Sequence, residues 1–235
     1  MRLSIAALCL ATLAMTATVP PAAAQTPATA PPPPPDGQIH VIAYVETNPA
    51  WERKAIGVLR DYATASAREA GAVRVDVFEE TTRPNRFVID EVWHDFAAYD
   101  AHAKASKLAD ALKPGHLAPP DTRAHTEWSV GPAAAPKPGA LQAFTHIDVS
   151  PPHLAALQEI LKPYIDKSRT DKGAARFDLL QGLAPRKNHQ TLAESWASEA
   201  DFRAHQASVH AIEFRDRLGP LLGALYDQRL YKLVR

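Results

Sequence analysis

Two stretches of the chain repeat the same chemically useful side chains at the same spacing. Residues 83–93 read RPNRFVIDEVW, and residues 186–196 read RKNHQTLAESW. Alternate residues of a strand share a face, which here combines apolar area with an amide and a carboxylate. Such a face suits the wall of a pocket for a small aromatic molecule. The repeated residues are Asn85, Glu91 and Trp93 in the first stretch and Asn188, Glu194 and Trp196 in the second.

An aromatic residue and a histidine follow each stretch, three positions apart. They are Tyr99 and His102 after the first stretch, and Phe202 and His205 after the second. On a helix this spacing puts both side chains on one face. Histidine has an ordinary pKa of about 6.5 and accepts a phenol proton at neutral pH. A deprotonated, electron-rich ring then passes an electron to O₂. The alternative is that each His and Trp is an ordinary core residue.

The part of the chain around the second stretch has two further histidines that have no counterpart around the first. His210 corresponds to Lys107, and His146 corresponds to Tyr44. His210 lies five residues after His205, which is about 140° around a continuous helix. We therefore predict that these two side chains do not form a metal-binding pair, and we predict no metal site. These differences favour an active second copy of the repeated region and a mostly structural first copy.

The repetition extends over most of the chain. After a shift of 102 residues Tyr62 meets Tyr164 and Gly71 meets Gly173, and after a small insertion the shift becomes 103. Ordered matches with small gaps indicate a tandem duplication. We assign domain 1 to residues 38–130, a linker to 131–139 (GPAAAPKPG) and domain 2 to 140–235.

Each domain carries the periodicities of an α+β fold. In domain 1 the pattern predicts strands at 40–46, 73–78 and 123–130, besides the quoted stretch, and helices at 49–71, ending at Gly71, and at 96–112. The order β-α-β-β-α-β is that of a ferredoxin-like unit. Helices cover only one face of its sheet, so the other face needs a partner. We expect the two domains to bury these faces against each other as an intramolecular pseudo-dimer.

Composition and the N-terminus indicate an exported protein. Residues 1–24 have a charged start, an apolar run and a small-residue end, which is typical of a cleaved signal peptide. Residues 25–37 form a Pro-rich tether. Cys9 is the only cysteine, so the mature chain is expected to have no disulfides. The 26 basic and 26 acidic residues give no support for a nucleic-acid partner. We predict a periplasmic or secreted protein without a membrane span after cleavage.

The motif resembles that of a known family. Asn-x-[Phe/Gln]-x-[Ile/Leu]-x-Glu-x-Trp, followed by YDAH (99–102) or FRAH (202–205), is similar to the antibiotic biosynthesis and quinol monooxygenases. The resemblance implies a dimeric α+β barrel that oxidises a hydroxylated aromatic compound or quinol with O₂, without metal, flavin or haem. It also implies that Asn, Trp and His surround a small cavity between helices and sheet.

Carried onto this chain, the resemblance assigns His205, Asn188 and Trp196 to catalysis. The remaining candidates are expected to bind substrate: Glu194, His146, Tyr164, Phe202, His210, Asn85, Trp93, His102, Glu91 and Tyr44. Two alternatives remain open within the same fold. One is a non-catalytic module that binds a small aromatic compound or serves a stress response. The other is a haem-degrading relative in which His205 ligates iron. Further homo-oligomerisation is compatible with each of them.

Overall fold

The computed structural model describes residues 34–132 and 135–234. The predicted signal peptide (1–24) and most of the tether (25–37) lie outside these residues. The first copy contains β1 (Ile39–Glu46), α1 (Glu52–Ser66), β2 (Ala72–Glu80), β3 (Arg86–Trp93), α2 (Phe96–Ala105), α3 (Leu108–Leu112) and β4 (Asp121–Ser129). The second copy contains β5 (Leu141–Asp148), α4 (Leu154–Ser168), β6 (Ala174–Gly182), β7 (His189–Trp196), α5 (Glu199–Gln206), α6 (Val209–Leu218) and β8 (Asp227–Leu233). No helix among the described residues is both long and apolar enough to cross a membrane.

The helices are shorter than the sequence pattern predicts. α1 ends at Ser66 rather than at Gly71, which lies in the turn before β2 with φ of 82°. The helix predicted at 96–112 is broken at residues 106–107, and the second copy is broken at 207–208. Ser208 explains the second break, because its side chain accepts a hydrogen bond from the Ala211 N–H and begins a new helix.

The eight strands form one closed barrel. Their order is β1-β3-β2-β8-β5-β7-β6-β4, with β4 returning to β1. The two copies meet at two seams, β2 with β8 and β4 with β6. Closure therefore joins the strand edges of the copies in addition to covering their sheet faces. The predicted fold class, two ferredoxin-like units in an intramolecular α+β barrel, is confirmed.

Strand alternation divides the core into an interior part and two helix-covered parts. Along β3, Val88 packs in the barrel interior, whereas Phe87 and Ile89 pack under the helices of the first copy. The interior core draws on both copies: Ile42, Phe78, Val88, Phe144, Leu180, Ala193 and Tyr231. The helix-covered face is the one that carries the repeated carboxylate and tryptophan of each copy.

A buried ion network lies beside the interior core. Asp90 is fully buried and accepts hydrogen bonds from Arg74, at 2.9 Å, and from Arg176 of the second copy. Burial by itself would raise the pKa of Asp90, but the two guanidiniums outweigh it and hold the pKa below its usual range. The residue that corresponds to Asp90 in the second copy is Ala193. Asp90 thus forms ion pairs with one arginine of its own copy and one of the other copy.

Candidate functional site

In the first copy, α1, β3 and α2 bring together a closed polar cluster. The rings of Trp93 and His102 stack with centroids 4.3 Å apart. Glu91 accepts hydrogen bonds from Trp93 Nε1 at 2.9 Å and from the Tyr62 hydroxyl at 2.5 Å. His102 Nε2 lies 2.9 Å from the same hydroxyl, and His102 Nδ1 lies 2.9 Å from Glu69. The buried carboxylate therefore has two good donors.

The second copy repeats this cluster with one change. Trp196 stacks on His205 at 4.6 Å, and its Nε1 donates to Glu194 at 2.9 Å. His205 Nδ1 lies 2.7 Å from Asp171, and His205 Nε2 lies 3.0 Å from the Tyr164 hydroxyl. Because Asp171 accepts from Nδ1–H, we assign Nε2 as the acceptor of the tyrosine proton. We call this arrangement of Asp171, His205 and Tyr164 the proton chain.

The change leaves the second carboxylate with weaker support. Besides Trp196, Glu194 has only a long contact of 3.5 Å with Gln228. Burial raises the pKa of Glu194 to about 7, against the lowering effect of these two donors. Burial also lowers the pKa of His205, partly offset by Asp171, and raises the pKa of Tyr164 well above its usual value. Near neutral pH, His205 is therefore an uncharged acceptor and Tyr164 a protonated donor.

The carboxylates that orient the two histidines are absent from the sequence-based site. Glu69 and Asp171 lie on the turns that follow α1 and α4, in a region predicted to be helical in the first copy. A signal was available, because each copy has an acidic residue two positions before its turn glycine, Gly71 or Gly173. Because the first helix of each copy ends before this acidic residue, its carboxylate reaches the histidine on the second helix.

The expectation that His205 and His210 point to different sides is wrong. His210 Nε2 lies 3.0 Å from Asp171 Oδ2, the same oxygen that is 2.7 Å from His205 Nδ1. The estimate of about 140° assumed a continuous helix. The break at 207–208 turns α6 back, so that both imidazoles reach one carboxylate.

The prediction that Asn, Trp and His share one pocket is also wrong. Asn188 and Trp196 are separated by the length of β7, roughly 26 Å at about 3.3 Å per residue. Asn188 Nδ2 donates to the Val149 carbonyl at 2.8 Å, and Asn85 Nδ2 donates to the Thr47 carbonyl at 2.7 Å. Strand alternation fixes the face on which a side chain lies but not its distance along the strand. Each asparagine therefore hydrogen-bonds the backbone just beyond the end of a neighbouring strand, β1 or β5.

Two other predicted substrate-binding residues lie apart from the tryptophan cluster. Tyr44 packs against the interior core, and the guanidinium of Arg123 lies 5.0 Å from its ring centroid. His146 lies two residues after Phe144, which is part of the interior core. Phe202, in contrast, joins the cluster and packs edge-on against Trp196 at 6.2 Å.

The cluster of the second copy is buried, and Tyr164 connects it to a small depression. Trp196 is fully buried and His205 is 2% exposed. A depression of about 120 Å³ lies beside them, lined by Tyr164, His210, Phe214, Ile160, Pro163, Lys167, Glu213 and Arg217. Phe214 stacks flat on Tyr164 at 4.0 Å. An engineered cavity of about 150 Å³ binds benzene, so the depression matches a single small ring.

Two larger cavities lie elsewhere. One, of about 440 Å³, is lined by His125, His146, His189, Arg123 and Arg186 among others. Another, of about 690 Å³, is lined in part by Arg74 and Arg176, which the ion network already pairs with carboxylates. The first cavity borders a cluster of His146, Asp148 and His189, whose ligand atoms lie within 4.8 Å of one another, as do those of Asp171, His205 and His210. The sequence showed neither set, because the members come from different elements.

Comparison with known folds agrees with the closed double-copy barrel. A candidate monooxygenase from Fusobacterium nucleatum is 14% identical, with a TM-score of 0.73 over 85% of this chain and 93% of its own. A candidate monooxygenase from Lactobacillus acidophilus is 12% identical, with a TM-score of 0.67 over 85% and 95%. A protein described as anthrone oxidase-like is 14% identical, with a TM-score of 0.70 over 85% and 92%. At these identities the likeness shows the fold alone.

The sequence itself carries the family assignment. Residues 38–114 and residues 140–217 each match the family model described as antibiotic biosynthesis monooxygenase. No curated protein sequence matches the chain. The two matches together cover more than half of the chain and contain both tryptophan–histidine clusters. The chain therefore belongs to the antibiotic biosynthesis monooxygenase family and carries the family domain twice.

Proposed function

We propose that the protein is an exported monooxygenase that oxidises a small hydroxylated aromatic compound or quinol with O₂, without a bound cofactor. The reaction is assigned to the helix-covered site of the second copy. The proton chain carries this proposal, because it ends at Tyr164 on the wall of a depression that fits one ring. Family membership supports monooxygenase chemistry.

The substrate ring packs in the depression against Tyr164 and Phe214, with its hydroxyl at the Tyr164 oxygen. Tyr164 takes the substrate proton while it passes its own proton to His205 Nε2. Asp171 stabilises the resulting imidazolium through Nδ1–H. Tyr164 is thus the group that meets the substrate, and His205 is the proton acceptor behind it. The high pKa of Tyr164 favours this relay over a standing tyrosinate.

The oxidation balances with O₂ as the only co-reactant. The deprotonated ring gives an electron to O₂, and the radical pair combines to a ring peroxide. The O–O bond then breaks, with one oxygen kept as a quinone carbonyl and the other released as water. The substrate supplies two hydrogens, and the proton held on His205 returns to the leaving oxygen.

The contacts of His205 favour a base over a haem ligand. Both ring nitrogens are engaged, Nδ1 with Asp171 and Nε2 with Tyr164. Iron ligation would require one of these hydrogen bonds to break inside a buried cluster. When haemin is added to the purified protein, we therefore expect the haem absorption band to stay at the position of unligated haemin, without the shift that imidazole ligation causes.

A binding-only function is the second candidate, and the closed packing of Trp196 and His205 is the observation that favours it. In that case hydroquinones or naphthols bind saturably without O₂ uptake. We expect uptake with a panel of dihydroxybenzenes, dihydroxynaphthalenes and anthrone. The last compound is included because one structural relative is described as anthrone oxidase-like.

The decisive comparison uses matched histidine variants of the two copies. His205→Ala should lower O₂ uptake by roughly 10²–10⁴-fold, as expected for loss of a proton acceptor. His102→Ala should have a much smaller effect, because the first copy has Lys107 and Ala111 where the second has His210 and Phe214. Because the pKa of His205 is lowered, the acid limb of the wild-type rate should lie below about pH 6.5.

Circular dichroism confirms that both variants are folded, and Tyr164→Phe tests the relay independently. Unchanged uptake in His205→Ala would remove the proton chain from the mechanism. Equal loss in both histidine variants would show that the two copies share the reaction.

Export is proposed from the sequence of residues 1–24. Intact-mass measurement on protein from the periplasm or medium should give a chain that begins at or near Gln25. A mass that includes residues 1–24 would contradict cleavage.

A further inference from the structure

A second group of chemically useful side chains lies at the far end of β7 from Trp196. His146 and Asp148 are on β5, and His189 begins β7. The antiparallel register pairs Asp148 with His189 directly. His189 Nδ1 lies 3.4 Å from His146 Nε2 and 3.5 Å from Asp148 Oδ2. Two imidazoles and one carboxylate therefore converge on one point.

The distances separate this group from the proton chain. Asp171 of the proton chain lies 2.7 Å from His205 Nδ1 and 3.0 Å from His210 Nε2, which is the range of hydrogen bonds. Donor atoms around a tetrahedral ion with bonds of about 2.0–2.1 Å are about 3.3–3.4 Å apart. His189 Nδ1 has this wider spacing to both neighbours, 3.4 Å to His146 and 3.5 Å to Asp148, so the group matches a ligand set better than a hydrogen-bonded network.

Asn188 supports the carboxylate from behind. Its Nδ2 donates to Asp148 Oδ1 at 3.2 Å and to the Val149 carbonyl at 2.8 Å. Oδ1 is thereby held, and Oδ2 is the oxygen that faces His189. Partners of this kind orient metal-binding carboxylates. This gives a physical role to the asparagine that sequence reasoning assigned to catalysis.

The group borders a cavity suited to a further ligand. His146 and His189 line the cavity of about 440 Å³, together with Arg123 and Arg186. Three protein ligands leave an open coordination position, as in catalytic zinc sites. The two guanidiniums oppose a bare cation but favour an anionic oxygen bound to it. The cavity is large enough for a small organic anion.

The first copy serves as an internal comparison. The residues that correspond to His146, Asp148 and His189 are Tyr44, Glu46 and Arg86. Arg86 Nε lies 3.0 Å from Glu46, so this position holds an ion pair. A cationic guanidinium in place of an imidazole excludes a metal ligand there. The first copy therefore has no counterpart of this group at the equivalent described residues.

We propose that His146, Asp148 and His189 bind one divalent transition-metal ion, such as Zn²⁺, whose open position takes an oxygen anion from the adjacent cavity. Two imidazoles with one carboxylate form a donor set that zinc, iron and cobalt accept. The site is separate from the proton chain and does not depend on the proposed oxidation.

The test measures metal binding to the untagged, chelator-treated full chain. Calorimetry with Zn²⁺ and visible absorption with Co²⁺ should give one ion per chain. His189→Ala and Asp148→Asn should lower the affinity at least tenfold. Asn188→Ala should lower it by roughly 10–100-fold, as is typical of outer partners. The matched variants Arg86→Ala and Glu46→Gln in the first copy should leave the affinity unchanged.

Two results would overturn the proposal. One is the absence of stoichiometric binding to the folded wild-type chain. The other is binding that survives Asp148→Asn but is lost in Asp171→Asn, which would move the ion to the proton chain. Circular dichroism of each variant shows whether a loss of binding reflects a loss of fold. If His189→Ala does not fold, Asp148→Asn still tests the site, because it keeps the side-chain volume.

Discussion

Glu91 and Glu194 occupy equivalent positions, yet their hydrogen bonds differ. Tyr62 donates to Glu91 at 2.5 Å, whereas the Tyr164 hydroxyl is paired with His205. The loss of one donor from a fully buried carboxylate favours the protonated form, in line with a pKa of about 7 for Glu194. Burial together with the loss of this donor thus keeps Glu194 protonated to a higher pH than an exposed carboxyl group.

This difference predicts a pH dependence of stability. Between about pH 4.5 and 7 the unfolded chain has an ionised Glu194 and the folded chain a protonated one, so the folded state binds more protons. The free energy of unfolding should therefore fall as pH rises through this window, by about 3 kcal/mol from this residue, and level off above it. Urea titrations across pH 4.5–8.5 measure the slope.

Glu194→Gln should remove this part of the slope, since glutamine does not titrate. Glu91→Gln in the first copy is the control and should leave the slope in place, because Glu194 remains. A slope that persists in Glu194→Gln would assign the proton uptake to another group.

At the residue scale, sequence reasoning found Trp, Glu and His of both clusters because a duplicated chain repeats them. It did not find Asp171 or Glu69, since their role depends on where a helix ends. It also grouped Asn188 with Trp196, because a repeated motif does not show that a step of eight positions along a strand separates them by roughly 26 Å.

At the scale of elements, the turn after each first helix positions the site. Gly71 and Gly173 have φ of 82° and 81°, and a Cβ on Gly173 would lie 2.6 Å from the Asp201 side chain. These glycines let the chain turn sharply enough for Glu69 and Asp171 to reach the histidines. The strands and helices followed from periodicity. The helix breaks did not, because a serine such as Ser106 or Ser208 occurs inside helices as well as at their caps.

Gly173→Ala should therefore destabilise the protein by about 1–3 kcal/mol, through the left-handed backbone and the clash with Asp201. Gly57→Ala is the matched control. Gly57 lies inside α1 with open space around it, so alanine there should stabilise by about 0.5–1 kcal/mol. Thermal unfolding of both variants measures the difference. Equal effects would mean that the turn tolerates a side chain.

At the scale of the whole molecule, pairing of the two copies was predictable from the duplication and from the need to cover an apolar face. Closure through the seams β2–β8 and β4–β6 was not, since edge pairing leaves no periodic signal in the sequence. The ion network at Asp90 likewise arises only when the copies meet.

Asp90→Ala should lower the free energy of unfolding by about 3–5 kcal/mol, because Arg74 and Arg176 lose a buried partner. Since the pKa of Asp90 is lowered, this stabilisation is present above about pH 4 and lost as the pH falls further. Asp166→Ala, which breaks an exposed pair with Lys162, should cost less than about 1 kcal/mol. Comparable costs in the two variants would contradict a structural role for the network.

The single carboxylate at Asp90 also makes the boundary between the two halves asymmetric. Two first halves would oppose four carboxylates, two from the buried Asp90 and two from the half-buried Asp76, to two guanidiniums. Two second halves would have Ala193 at this position and would lack the carboxylate that joins the two arginines. The mixed pair has three carboxylates, Asp76, Asp90 and Asp178, for two guanidiniums, and Asp90 accepts from both arginines. The boundary of this chain thus carries one Asp90, where two paired first halves would carry two and two paired second halves none, so duplication has made the ion network asymmetric.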